Sequence, residues 1–262
     1  MIEITVIVVV RNEENYIINC IKSIERQFSQ NDTWELIIVD GISSDNTKLR
    51  AKEYLSNQNY NFLILDNLKR TLAPGWNIGI KHSKGKYICR PDAHSKLHNN
   101  YIKEGLRLHS VIDAAAIGGV LSTKSKGYWG EIIKEALSLK MGVGNSFRSL
   151  KSSGYTDTAV YAIYDANIFK KVGYFREDLI RHQDNEMHKR ISESEGKFYT
   201  SIKMSADYYC RDTIPKLLKQ MYNIGKYLPD VFFDNALSLR HLVPLLFVLF
   251  IFLDLYYLFF RY

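Results

Sequence analysis

The sequence of 262 residues is poor in the residues that cross-link small folds or hold structural metals. It has only three cysteines, Cys20, Cys89 and Cys210, which are odd in number and far apart. This spacing excludes a disulfide framework and a structural zinc site, and it favours a reducing compartment. The first residues also lack the basic region and small-residue cleavage site of a signal peptide. We therefore expect the chain to begin directly with folded structure.

Long blocks of one charge are absent as well. Lys and Arg number 35 against 28 Asp and Glu, a net charge of +7, and the cationic residues are interleaved with acidic ones. That distribution argues against nucleic acid as a partner. With 46% hydrophobic and 24% charged residues, the composition also excludes a wholly disordered, collagen-like or polytopic membrane protein.

Apolar residues are concentrated at the C-terminus, from Leu242 to Phe260, where Asp254 is the single charge. A run of roughly 18 or more apolar residues is long enough to cross a bilayer, so we expect a membrane helix over 241–260. The alternative is a buried C-terminal helix, which usually keeps a polar face. Basic residues precede the run and only Arg261 follows it, which predicts that the rest of the chain lies at the cytoplasmic face. The preceding residues are Lys216, Lys219, Lys226, Arg240 and His241.

Short apolar runs alternate with helical patterns through the first part of the chain. Strands are predicted at 4–10, 34–39, 62–65 and 86–89, and helices at 17–28, 47–55 and 73–82. Such alternation predicts a doubly wound, mostly parallel α/β sheet with helices on both faces. Farther on, the pattern predicts strands at 114–121 and 159–164 and helices at 101–108, 129–139, 167–172, 182–193 and 214–227.

Polar residues follow three of the predicted strands at the point where each strand ends. They are Arg11, Asn12 and Glu13 after the first strand, Asp40 after the second, and Asp92 and His94 after the fourth. In a doubly wound sheet the ligand binds outside the carboxyl ends of the strands, so these segments are predicted to converge on one site. The alternative for any one of them is an ordinary turn former.

Two pairs of side chains suggest catalytic chemistry. Asp92 and His94 flank a small residue and lie on the same side of an extended segment, so they are candidates to hold a divalent cation that bridges diphosphate oxygens. Otherwise Asp92 would cap a helix and His94 would lie at the surface. Asp184 and Glu186 lie near a helix N-terminus, where a carboxylate stays ionised and suits a general base. Otherwise they belong to a solvated helix face.

Three ordered motifs of the first half resemble glycosyltransferase family 2, which has the GT-A fold. They are VIVVVRNEENYIINCIKSI, WELIIVDGISSDNT and PGWNIGIKHSKGKYICRPDAH. Later segments, including GVGNSFR and HQDNEMHKRISESEGKFY, resemble the succinoglycan-type exopolysaccharide transferases of that family. The resemblance implies a nucleotide-sugar-binding half at 1–95 and an acceptor-binding and catalytic half at 96–230 of the same domain, which the apolar run at 241–260 would follow.

The resemblance also implies roles for individual residues. Asp92 corresponds to the metal carboxylate that holds the donor diphosphate, and His94 stands where many members have a second Asp. Asp184 corresponds to the general base, with Gln183 in the usual Glu position. The donor side is expected to comprise Arg11, Asn12, Glu13, Asp40, Asp45, Asn77 and Arg90, and the acceptor side Gln183, Glu186 and Asp157.

The function implied is inverting transfer of a sugar from a nucleoside diphosphate sugar, by family habit a UDP-sugar, to a lipid-linked or growing polysaccharide acceptor. Mn²⁺ or Mg²⁺ is the implied cofactor. Gln220 lacks the Arg and Trp that would complete the motif of processive synthases, which argues against that subclass. Two alternatives stay open: a nucleotidyltransferase, although the glycine-rich phosphate loop is missing, and a non-catalytic basic module that binds lipid or nucleic acid.

Overall fold

The computed structural model describes residues 2–138 and 150–232, together with 246–247, 249–250, 252–253 and 256–257. The strands are β1 (Ile4–Val10), β2 (Trp34–Asp40), β3 (Asn61–Asp66), β4 (Tyr87–Cys89), β5 (Ser95–Leu97), β6 (Ala116–Lys124), β7 (Gly154–Thr156), β8 (Val160–Asp165) and β9 (Phe198–Tyr209). The helices are α1 (Ile17–Glu25), α2 (Thr47–Leu55), α3 (Leu72–His82), α4 (Tyr101–His109), α5 (Gly127–Ser138), α6 (Asn167–Val172), α7 (Gln183–Glu193), α8 (Ile214–Lys226) and α9 (Pro229–Phe232).

All nine described strands belong to one sheet, in the order β3-β2-β1-β4-β8-β6-β9-β5, with β7 paired to β9. Strands β3, β2, β1 and β4 are parallel, as predicted. The prediction of a mostly parallel sheet is wrong for the other half, because β8 runs antiparallel to both β4 and β6. The chain enters β8 from the end of the sheet where β4 finishes, since Cys89 pairs with Ile163 and Val160 lies beyond. The start of β8 therefore lies beside the carboxyl end of β4.

The sheet is covered by helices on both faces because its central strands are apolar on both sides. In β1, every residue except Val9 is buried. Helix α1 packs its buried stripe of Ile17, Cys20, Ile21 and Ile24 on one face. Helix α3 packs on the other face and lies very close to β1, because a Cβ added at Gly79 would come within 2.4 Å of Ile7. Strand β1 is thus packed between helices on both faces of the sheet.

The C-terminal apolar run is described at only eight positions. These eight residues are helical, and even the least exposed of them, Leu249, has 48% of its surface exposed. Within the part of the chain that the structure describes, no helix has both the length and the apolar character needed to cross a bilayer. Most of the membrane helix predicted at 241–260 lies outside the described residues, as do residues 139–149 of the glycine-rich basic loop.

Candidate active site

The predicted site residues converge where β4 ends, beside the start of β8 and the N-terminus of α7. Arg90 is the first residue after β4 and is buried, with 8% of its surface exposed. Its guanidinium carbon lies 4.1 Å from the ring centre of Trp76 and 4.4 Å from that of Phe175. Stacking between aromatic faces stabilises a desolvated cation. Arg90 is therefore a fixed positive charge at the centre of this site.

Asp184 is the anion that Arg90 faces. Its Oδ1 accepts a hydrogen bond of 2.7 Å from Nη2 of Arg90, and about half of its side chain stays exposed. Burial alone would raise the pKa of Asp184, but the charge of Arg90 and the hydrogen bond from Arg90 lower it below its ordinary value. Asp184 is therefore an oriented and ionised carboxylate that solvent and substrate can reach.

The segment before Asp184 is held by a contact from farther along the chain. His182 has a left-handed backbone, with φ 63°, and directly precedes α7. Its Nε2 lies 3.1 Å from the carbonyl oxygen of Ile224 in α8. The N-terminal end of α7, which carries the predicted base, is thus tied to α8.

A buried chain of hydrogen bonds continues from Arg90 into the protein. Nη2 of Arg90 donates to the Tyr164 hydroxyl at 3.0 Å, which lies 2.8 Å from Nε2 of His188. Burial lowers the pKa of His188 to about 4, although Asp184 acts in the opposite direction, so its imidazole is neutral. Nδ1 of His188 lies 2.7 Å from the Thr158 hydroxyl oxygen, so the neutral imidazole joins the hydroxyls of Tyr164 and Thr158 through hydrogen bonds.

Asp92 lies next to this pair. Its carboxyl pKa is raised, chiefly by burial and also by the Asp184 carboxylate, while His94 and Arg90 act in the opposite direction. The segment after it turns into strand β5, so Asp92 does not cap a helix. The hydroxyl of Tyr161 also faces its carboxylate. Asp92 is thus a half-buried carboxyl group beside a second carboxylate.

These surroundings fit a divalent cation held by Asp92. Such a cation needs one or two protein carboxylates when phosphate and water supply its other ligands, and it would stabilise a desolvated carboxylate. His94 fits less well, because its Nδ1 lies 3.4 Å from a Glu13 carboxylate oxygen and this pair raises the pKa of His94, whereas a metal ligand must be neutral. Among the described residues, no three of His, Cys, Asp and Glu form a preassembled metal site.

On the donor side, the loops after β1 and β2 are joined by polar contacts. Asp40 is buried, and its two carboxylate oxygens accept from the backbone N–H and the hydroxyl of Ser43 at 2.9 and 2.6 Å. Asn12 accepts from the N–H of Ser44 at 2.8 Å. Arg11 is exposed and its side chain packs close to Gly41. The convergence of the first two strand ends is therefore present, while base recognition by Asp40 stays a prediction.

Two expected donor-side residues make bonds within the protein. Asp45 accepts from the N–H and hydroxyl of Thr47 at the start of α2 and from the N–H of Glu14. Asn77 is buried in α3, where its amide donates to the Phe175 carbonyl and to Glu177 and accepts from the Phe175 N–H. Both amide hydrogens of Asn77 are thus used in joining α3 to the segment before α7. These contacts favour scaffolding roles for both residues.

Two of the three expected acceptor-side residues are engaged within the protein. Glu186 is buried in a two-bonded ion pair with Arg190, at 2.6 and 2.8 Å, on a different side of α7. Gln183 is buried and donates to the Leu179 carbonyl. Asp157 is exposed in the turn before β8. The structure brings Arg90, Asp92 and Asp184 together, and the acceptor role of Gln183, Glu186 and Asp157 stays a prediction.

Sequence reasoning missed Trp76, Tyr161, Tyr164, Phe175 and His188. The tyrosines lie in an apolar strand and resemble core residues. The helical spacing of His188, four residues after Asp184, was the one usable signal, because it places both side chains on the same face of α7.

The chain resembles known proteins in sequence. Residues 5–173 match the sequence model of the family described as glycosyl transferase family 2. A relative from Methanococcus voltae, dolichyl N-acetyl-alpha-D-glucosaminyl phosphate 3-beta-D-2,3-diacetamido-2,3-dideoxy-beta-D-glucuronosyltransferase, is 29% identical over 229 residues. That alignment covers 85% of this chain and 71% of the relative.

Solved structures of low sequence identity share the fold. TarS 1-349 of S. aureus in complex with UDP-GlcNAc superposes with a TM-score of 0.63 at 16% identity, covering 81% of this chain and 60% of that one. GalNAc-T7 with UDP, GalNAc and Mn²⁺ superposes with a TM-score of 0.65 at 15% identity, covering 81% of this chain and 44% of that one. The described chain thus spans less than two thirds of these solved structures.

Proposed function

The chain belongs to glycosyl transferase family 2, and on that premise we propose that it is a membrane-associated transferase that moves a sugar, with inversion, from a nucleoside diphosphate sugar to a lipid-linked or growing glycan acceptor. The observation that carries this proposal is the convergence of Arg90, Asp92 and Asp184 at the end of β4. The M. voltae relative is named for transfer to a dolichyl N-acetyl-glucosaminyl phosphate, and this name supports a lipid-linked acceptor.

The side chains at this point suit group transfer. As the bond from the sugar C1 to the diphosphate oxygen breaks, that oxygen keeps the electron pair and the acceptor oxygen bonds to C1 from the opposite face. Asp184 is placed to accept the acceptor hydroxyl proton, because it is ionised, oriented by Arg90 and half-exposed. Arg90 contributes a fixed positive charge beside the site.

A divalent cation is the implied cofactor, and Asp92 is the residue that would hold it, with His94 as the second candidate. When bound, such an ion supplies Lewis-acid stabilisation of the charge on the departing diphosphate. Structures of the same fold with UDP and Mn²⁺ and with UDP-GlcNAc support Mn²⁺ or Mg²⁺ and a UDP-sugar as the first choices to test.

Donor binding should depend on Asp92. We expect thermal-shift screening of UDP-, GDP- and dTDP-sugars to find a donor that raises the melting temperature more strongly with Mn²⁺ than without it, because ligand that binds only the folded state stabilises it. Asp92→Asn should reduce the Mn²⁺-dependent affinity by roughly tenfold or more, the typical cost of losing a bond to a charged group.

The matched control is Asp66→Asn, since Asp66 also ends a parallel strand but pairs with Lys48 at the surface. It should bind the donor as the unaltered protein does. If no sugar nucleotide binds with Mn²⁺ or without it, the proposal loses its main support. The same holds if Asp92→Asn and Asp66→Asn bind the donor equally well.

Membrane association through the C-terminal run is part of the proposal. The eight described residues of that run are exposed apolar or aromatic side chains in helical conformation, and exposed apolar surface of this extent marks a membrane or protein contact. Helix α8, which precedes it, exposes Leu218, Met221 and Tyr222 between its lysines. Lysine beside apolar side chains suits an anionic membrane surface, and the cytoplasmic face is the side that the charge distribution favours.

We expect the full chain to stay with phosphatidylglycerol-containing vesicles after an alkaline carbonate wash. The double variant Leu249→Arg, Phe252→Arg should be released, because each Arg near the centre of a membrane helix costs about 2.5–3.5 kcal/mol. The control Leu68→Arg changes a side chain that is 80% exposed in the folded part and should be retained. Release of the unaltered chain by the wash would contradict the anchor.

A further inference from the structure

One buried hydroxyl in the site has no hydrogen-bond partner within the described part of the chain. Tyr161, in β8, has 6% of its surface exposed, and its hydroxyl oxygen has no described group in good hydrogen-bond geometry, although the Asp92 carboxylate lies close enough to raise the pKa of this hydroxyl. A buried donor without a partner costs roughly 1–3 kcal/mol. Such a group is uncommon in a native protein and calls for a physical explanation.

The backbone of Tyr161 is also strained. Its φ is +46°, an unfavourable value for a bulky residue near the start of a strand. The pairing of β6 with β8 shifts register between Ile117 and Gly119, beside Val160. A Cβ at Gly118 would lie 2.8 Å from the Val160 carbonyl oxygen, so only glycine fits there. Irregularities of this kind redirect a side chain and are common next to active sites.

Other residues hold this strained conformation in place. The hydroxyl of Tyr101, a fully buried residue of α4, lies 3.2 Å from the Val160 carbonyl oxygen and 3.1 Å from that of Tyr161. The thiol of Cys89 also contacts the Tyr161 carbonyl, at 3.8 Å. Strain that the surrounding structure maintains in this way is found at ligand-binding positions.

The side chain is directed at the proposed donor site. The hydroxyl of Tyr161 interacts electrostatically with the Asp92 carboxylate, the residue placed to hold the diphosphate through a cation. The redirected strand thus brings a donor hydrogen to the position where an oxygen-rich ligand would lie.

We propose that the hydroxyl of Tyr161 is a donor-substrate contact, which gives its hydrogen bond to an oxygen of the nucleoside diphosphate sugar. The inference rests on the proposed function. A tyrosine hydroxyl can donate to either of two kinds of donor-substrate oxygen, a diphosphate oxygen or a hydroxyl of the transferred sugar. In the free protein the hydroxyl has only a poorly aligned contact with the Asp92 carboxylate, and in the complex it gains a well-aligned acceptor.

Tyr161→Phe tests this, because it removes the hydroxyl and keeps the ring. Binding to the full chain is measured by calorimetry with Mn²⁺, using UDP, GDP, UDP-N-acetylglucosamine and GDP-mannose. Affinity should fall roughly fivefold if the partner is a sugar hydroxyl and tenfold or more if it is a diphosphate oxygen. Weaker binding of UDP or GDP, which carry no sugar at the diphosphate, assigns the contact to the diphosphate. Weaker binding of the sugar nucleotides only assigns it to the sugar.

Stability separates this role from a structural one. The melting temperature of ligand-free Tyr161→Phe should equal or exceed that of the unaltered protein. The control Tyr101→Phe should have a lower melting temperature, because its hydroxyl bonds two backbone carbonyls. If Tyr161→Phe binds every nucleotide with unaltered affinity, or loses as much thermal stability as Tyr101→Phe, the inference is overturned. If the unaltered chain binds none of the four, the proposed function fails as well.

Discussion

Asp184→Asn should lower the rate of sugar transfer by roughly 10²–10⁴-fold, the usual contribution of a general base. An amide cannot accept the proton of the acceptor hydroxyl, but it has nearly the shape of the carboxylate and its oxygen can still accept from Arg90. Donor affinity should therefore change by less than about threefold. The measurement is the single-turnover transfer rate, with donor binding determined in parallel by calorimetry.

The control for this variant lies on the same helix. Glu193→Gln removes a carboxylate whose side chain is 60% exposed and pairs with Lys189 at the surface. Exposed pairs of this kind contribute about 0–1 kcal/mol, so the transfer rate and stability should stay close to those of the unaltered protein. If Asp184→Asn transfers sugar at nearly the unaltered rate, or if it loses donor binding instead, Asp184 is not the base.

Arg90→Met should lower the transfer rate by roughly 100-fold through loss of orientation at Asp184, since small misplacements of a catalytic group have effects of this size. The variant should be less stable than the unaltered protein, because removing one partner of a partly buried ion pair is destabilising, but the fold should persist because Met can pack between Trp76 and Phe175. The half-exposed Asp184 carboxylate can be hydrated once Arg90 is gone.

The pH dependence is the more specific result for Arg90→Met. Asp184 acts as the carboxylate, so transfer is lost as the pH falls through its folded-state pKa. Burial acts to raise that pKa, and Arg90 is the largest influence that lowers it. Removing Arg90 should therefore move the acid limb of the pH–rate profile to higher pH. An unchanged acid limb with a reduced rate would show that Arg90 acts on the substrate and not through Asp184.

The same depressed pKa has a consequence for folding. A carboxyl group with a lowered folded-state pKa stabilises the protein above its unfolded pKa, and this contribution disappears as the pH falls through the folded value. In Arg90→Met this part of the acid sensitivity should shrink. The two profiles, rate and stability against pH, can be measured on the same variant.

The parallel half of the sheet could be predicted because its signals are local. Strand β1 and helix α2 have the predicted bounds. A continuous β-branched run defines the strand and the residues next to Asp45 define the helix start, so neither depends on distant parts of the chain. Strand β9 was not predicted. It carries buried Thr200, Ser201 and Asp207 and changes register against β6 near Ser201, so its sequence shows neither an apolar run nor a clean alternation. Its strand character comes from its neighbours.

For the site, the sequence indicated which residue types were present but not which side chains face each other. Asp184 and Glu186 looked equivalent, yet one faces Arg90 and the other a structural Arg190. Asn77 lies in a family-like motif, but its amide is engaged by the segment around Phe175. Tyr161 and Tyr164 belong to a strand that joins the sheet from the opposite direction, and no local pattern reveals that placement.

The contact between His182 and the Ile224 carbonyl bears on protein production. A shortened protein designed to improve solubility would be safe to cut beyond α9, after residue 232, because α8 would be retained. A cut before residue 214 would remove the acceptor of this bond and release the backbone just ahead of Asp184. Loss of activity in such a fragment would then reflect an unsupported helix start, and it should not be taken as a requirement for the lipid anchor.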